Sequence, residues 1–154
     1  MPESRTPTVA MLARALLVPY VLGLALIVWL PASIAGRVTG LAFRLAEFVS
    51  AHFGIALSTS YTLFEFLANI ALFVPFGLLV AAAWPRTSPW LIILFGYATS
   101  ATIELVQSLL PSRFPTISDV IANTIGTVIG CLALHAVLQM SHAGRRIRAS
   151  SLRA

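Results

Sequence analysis

Apolar residues run through this chain in blocks longer than a soluble core helix needs, and most polar positions fall near the block ends. The first run, Leu12–Leu30, carries Arg14 near its start and closes on Trp29-Leu30-Pro31. It approaches the roughly 20 residues that a helix needs to cross a bilayer core. A second run, about Thr62–Trp84, contains Glu65, Asn69, Pro75 and Gly77. Pro75 removes one backbone donor, which predicts a kink. The turn Pro85-Arg86-Thr87-Ser88 follows, and Ser88-Pro89 suits the N-cap and N1 positions of a third run, Pro89–Leu110. A short loop leads to a fourth run, about Ile117–Met140, and the Arg-rich tail after Ser141 is expected to fray.

Residues 37–53 have a different pattern. Val38, Leu41, Leu45, Phe48 and Val49 fall on one helical face, with Arg37, Arg44 and Glu47 opposite. That arrangement predicts a helix lying in the membrane interface. The expected fold is therefore all-α: a polytopic membrane protein with four transmembrane helices and one interfacial amphipathic helix, forming a single domain over residues 1–154.

Composition supports this class. The chain is 58% hydrophobic and only 10% charged, against about 25% charge in ordinary globular domains. Its net charge of +5 comes from arginine alone, since lysine is absent. The arginines flank apolar runs singly or cluster at the C-terminus, a pattern of topology signals and anionic-lipid contacts rather than of a nucleic-acid surface. Cys131 is the only cysteine, so no disulfide forms within the chain, and its apolar setting predicts an inert small hydrophobe. Ser33-Ile34-Ala35-Gly36 resembles a signal-peptide cleavage site, but the preceding run exceeds a usual signal core and is expected to be retained.

Arginine counts set the expected orientation. With both termini cytoplasmic, Arg5, Arg14, Arg86, Arg145, Arg146, Arg148 and Arg153 lie inside, and Arg37, Arg44 and Arg113 lie outside. Seven against three satisfies the positive-inside rule. Six polar side chains then share the outer part of the membrane: Glu65 and Asn69, Glu104 and Gln107, Asp119 and Asn123. Each pair is spaced i,i+3 or i,i+4 and so shares a helix face. Glu104 lies roughly 10 Å below Pro111, and Asn69 roughly 12 Å below Tyr61. The inner half offers only His135 and Gln139.

Bland roles compete for these residues. Thr116-Ile117-Ser118-Asp119 reads as a capping box, and Asn69, Gln107 and Asn123 can act as interhelical glue. Gly126-Thr127-Val128-Ile129-Gly130 is a small-xxx-small step that close helix packing explains. Glu104 is hardest to dismiss, because a carboxyl at that depth must be protonated, paired or facing water. Arg113 is the obvious partner, as a guanidinium can bridge carboxylates. His52, His135 and His142 are scattered, so no metal site or cofactor is expected, and no covalent-nucleophile order is present.

Taken together, Asn69-Ile-Ala-Leu-Phe-Val-Pro75-Phe-Gly77, Glu104-Leu-Val-Gln107, Arg113 with Asp119, and Asn123-Thr-Ile-Gly126 with Gly130 resemble the VanZ-like family of bacterial membrane proteins. The resembling region covers about residues 60–135 and would mark Asn69, Pro75, Gly77, Glu104, Gln107, Arg113, Asp119, Asn123 and Gly126. Family members often carry a further acid between the Arg and the Asp, where this chain has Pro115, Thr116 and Ser118. The resemblance implies an envelope role and, for some members, lowered sensitivity to the lipid-tailed glycopeptide teicoplanin.

The expected function is an outward-facing polar pocket for a membrane lipid or lipid-linked envelope precursor. Glu104 and Asp119 would meet donors, Arg113 a phosphate or carboxylate, and Asn69, Gln107 and Asn123 would orient them, with Glu65 at the rim. The rivals are an intramembrane enzyme using Glu104 and Asp119 as acid and base, and a small lipid or solute transporter. Sparse polarity in the inner half weighs against the transporter.

Overall fold

The computed structural model describes the backbone of residues 5–29, 32–109 and 116–151, and the side chains of 8–26, 40–109 and 116–141. Five helices follow one another: α1 (Arg5–Trp29), α2 (Ala32–Phe53), α3 (Leu57–Ala83), α4 (Pro89–Gln107) and α5 (Ile117–Ser151). No strand occurs among the described residues. Four of the helices are long and apolar enough to span a membrane, over Thr8–Leu26, Leu57–Ala83, Pro89–Gln107 and Ile117–Ser141. The second begins at Leu57 rather than Thr62, and the third ends at Gln107 rather than Leu110. The helical backbone also continues through the tail to Ser151, where fraying was expected, because Ala and Arg are strong helix formers.

The bundle is organised around α3 and α5, which pack in parallel. Glycine makes this closeness possible. A methyl group at Gly77 would collide with the Thr127 carbonyl oxygen, one at Gly126 with that of Ile70, and one at Gly130 with that of Val74. The small-xxx-small step thus works as close packing, as its spacing predicts. Antiparallel α4 brings Gly96 against the Thr127 side chain, which is fully buried between α3 and α4. Phe73, Phe76, Val80, Ile92, Ile103 and Cys131 fill the core, and the Phe76 and Phe95 rings stack at 5.8 Å.

α1 lies antiparallel to α3. Arg14 donates from Nε to the Ala83 carbonyl at 3.1 Å, and the Tyr20 hydroxyl donates to the Leu72 carbonyl. Pro75 sits inside α3, which continues through it as one helix. Ser88 occupies the α4 N-cap as expected, but its side chain makes no capping bond; its backbone oxygen instead receives the N–H groups of Leu91 and Ile92.

The position of α2 follows from its neighbours. α1 ends and α3 begins at the same end of the bundle, so the helix joining them does not cross it. Phe43 meets Tyr61 edge-on at 6.2 Å, and Gly54, with φ of +68°, terminates α2 in the left-handed conformation open to glycine. Ala46, not the large apolar residues, is buried against the bundle, while Leu41, Leu45 and Phe48 stay exposed. Their stripe is therefore available to lipid, as the interfacial reading requires. Ile121, Ile125, Ile129 and Leu132 form a similar exposed stripe on α5, opposite its glycine face. Exposed apolar area on this scale marks a membrane-facing surface.

Candidate functional site

At the end where α3 and α5 begin and α4 finishes, polar side chains from three helices converge. Asn69 of α3 donates from Nδ2 to Asp119 Oδ1 of α5 at 2.7 Å. Glu104 of α4 accepts the backbone N–H of Thr116 through Oε2 at 2.9 Å. Asn123 of α5 donates from Nδ2 to Ser100 Oγ of α4 at 2.8 Å. One turn further along α5, the Thr127 hydroxyl donates to the Asn123 carbonyl at 3.0 Å. These bonds tie α3, α4 and α5 together around a common polar column.

Burial deepens inward from the mouth of that column. Asp119 and Asn69 are half-buried, Glu104 is 9% exposed, Asn123 is 5% exposed, and Ser100 is fully buried. Asp119 and Glu104 both bond to this end of the column, Asp119 to Asn69 and Glu104 to the Thr116 N–H. Two acids sharing a shielded site make it acceptor-rich. Asn123 adds to this: its Oδ1 is buried and has no hydrogen-bond partner among the described residues. An amide oxygen buried without a donor costs about 1–3 kcal/mol, so the site holds unspent capacity to accept a hydrogen bond.

The expected capping box is only half formed. Asp119 donates its N–H to Thr116 Oγ1 at 3.3 Å, but the Thr116 N–H, which the box would return to Asp119, goes to Glu104. Asp119 is instead turned toward Asn69. Asp119 thus adds a partner on α3 to its local contact with Thr116, and Glu104 takes the N–H that the box would have used.

The remaining candidates are placed as follows. Glu65 is exposed and accepts from the Tyr61 hydroxyl at 3.5 Å, so it stands at the rim rather than in the column. Gln107 is half-buried in the last turn of α4 and is engaged in an interaction. Arg113 lies outside the described residues. Gly77, Gly126 and Gly130 belong to the α3–α5 packing below the column, whereas Pro75, inside α3, is exposed. Among the described residues no three His, Cys, Asp or Glu side chains gather as a metal-holding group.

Sequence reasoning missed Ser100, Gly96 and the buried role of Thr127. A signal existed for the first two, since Gly96, Ser100 and Glu104 repeat at i, i+4 and i+8 and therefore line one face of α4. Next to the mouth, Ser58, Thr59, Thr62, Leu63, Phe66 and Ser118 line an open groove of about 500 Å³, with hydroxyls and apolar side chains side by side.

Four apolar spans, an in-plane helix and a polar column at one end define a polytopic helical membrane protein. Within that class the chain belongs to the VanZ/LLP1 family, whose model matches residues 17–139. The match reaches beyond the motif-bearing region and takes in α2 and the second half of α1. No curated protein and no solved structure matches the chain.

Proposed function

We propose that this chain is a bacterial cell-membrane protein whose polar column faces outward and binds the head group of an amphiphilic or lipid-linked envelope ligand. The observation that carries this reading is the buried, unpartnered Oδ1 of Asn123, set behind the carboxylates of Glu104 and Asp119. A site so rich in acceptors matches a ligand that presents donors, such as hydroxyl, amide or ammonium groups. Asn69 and Ser100 fix the orientation of Asp119 and Asn123, and Arg113 supplies a fork for a phosphate or carboxylate on the same ligand.

The arginine distribution supports an outward column with both termini cytoplasmic. The adjoining groove offers hydroxyls beside Leu63 and Phe66, a surface suited to an amphiphile. The partners are membrane lipids or a lipid-linked precursor rather than nucleic acid. Binding of this kind lowers sensitivity to teicoplanin-type glycopeptides by altering access to their envelope target.

The test uses Glu104→Gln and Arg113→Gln, which retain size and hydrogen-bonding groups but remove charge. Both are expected to insert and stay folded, to lose protection against a lipid-tailed glycopeptide, and to combine non-additively because they share one ligand. Native mass spectrometry should show an amphiphile on the wild type that both variants lose. Wild-type protection and wild-type lipid occupancy at matched membrane levels would rule out the charged pocket.

A further inference from the structure

The opposite end of the bundle carries a second arrangement that the polar column does not use. Ala83 is the last residue of α3, so its carbonyl is one of the terminal acceptors that a helix leaves unsatisfied. Arg14 reaches across from α1 and donates Nε to it at 3.1 Å. The same guanidinium lies over the Trp84 ring, 5.7 Å from its centroid. Two contacts from the end of α3 therefore hold one exposed cation in a fixed plane. Neither terminal nitrogen of Arg14 has a partner among the described residues.

A second cation belongs to the same corner. The Thr87 N–H donates to the Trp84 carbonyl at 3.0 Å, closing a turn that carries Arg86 at its third position, and Arg86 is exposed. Trp84 and Trp90 flank this turn and are 43% and 79% exposed. Exposed tryptophans at span ends mark the head-group level of a bilayer. The described acids, Glu47, Glu65, Glu104 and Asp119, all lie toward the other end, so no described carboxylate competes for these guanidinium groups.

We propose that Arg14, held by the Ala83 carbonyl and Trp84, forms with Arg86 a binding site for the phosphate of a net-anionic phospholipid. The terminal nitrogens of Arg14 offer a planar fork that matches phosphate oxygens, and Nε is already spent on positioning it. Arg86 supplies a second positive charge that a zwitterionic head group, carrying its own ammonium, would not need. Bound there, the lipid links α1 to the α3–α4 turn and clamps a span that Tyr20 also ties to α3. This site is independent of the ligand assigned to the polar column.

Full-length protein in phosphatidylcholine nanodiscs, titrated with phosphatidylglycerol, provides the test through the thermal unfolding midpoint and through lipid counted by native mass spectrometry. Phosphatidylglycerol is expected to raise the wild-type midpoint and to bind in preference to phosphatidylcholine. Arg14→Gln and Arg86→Gln should each weaken that preference about tenfold, a loss of about 1.4 kcal/mol. Arg14→Lys, which keeps the charge but not the fork, should fall between, and Arg44→Gln at the opposite end should behave as wild type. Should Arg14→Gln fail to fold because α3 loses its cap, Arg14→Lys and Arg86→Gln decide the matter. Unchanged lipid preference in both would overturn the site. Equal stabilisation by inorganic phosphate alone would overturn the lipid as its occupant.

Discussion

Glu104 on α4 holds the backbone N–H of Thr116, the residue that opens α5, at 2.9 Å. One carboxylate oxygen therefore fixes the start of the next span, and the other is left for a different partner. This predicts a split between two substitutions. Glu104→Gln keeps an acceptor for the Thr116 N–H and should change stability little. Glu104→Ala strands that N–H and should cost about 1–3 kcal/mol. Thermal unfolding in detergent separates the two, and equal loss in both variants would show that charge, not acceptance, holds α5.

Asn69 and Asp119 meet at 2.7 Å across the α3–α5 interface, and this bond is a measurable coupling. A double-mutant cycle with Asn69→Ala and Asp119→Ala should return a favourable coupling of about 0.6 kcal/mol, the average for interhelical bonds in membranes, and at most about 1.7 kcal/mol. A coupling of zero would mean that the two side chains act separately.

The glycines divide into two groups. Gly77→Ala and Gly130→Ala drive a methyl into the backbone of the facing helix and should each cost about 1–3 kcal/mol through overpacking. A methyl on Gly23, within α1, meets nothing within 4 Å, so Gly23→Ala should be neutral or gain about 0.5–1 kcal/mol from helix propensity. Unfolding midpoints in one detergent provide the comparison. Tolerance of alanine at Gly130 would mean that α3 and α5 lie further apart.

Orientation is open to labelling. Cys131 is 2% exposed, so an aqueous thiol reagent should leave it silent, and Cys131→Ala supplies a cysteine-free background. Ser112→Cys should then react in intact cells, while Ser88→Cys should react only after permeabilisation. The reverse pattern would place the polar column on the cytoplasmic side and remove its access to an external ligand.

The sequence by itself determined the spans, the in-plane helix and the Gly126–Gly130 packing step. Each rests on a local or periodic signal: uninterrupted apolar length, a charged face opposite an apolar one, and small residues four apart. The family was legible as well, through several spaced motifs at once. The sequence also placed the acids and amides at one end of the bundle, because direction alternates from one span to the next. What it left open was who bonds to whom. Spacing put Glu65 with Asn69 and Asp119 with Asn123 on shared helix faces, and offered the asparagines as interhelical glue without naming their partners. Tertiary packing instead joined Asn69 to Asp119, Asn123 to Ser100, and Glu104 to Thr116, and left Glu65 at the rim. The physical reason is that a shared helix face only makes side chains neighbours. Their partners depend on how closely the facing helices approach, and here that distance is set by Gly77, Gly96, Gly126 and Gly130.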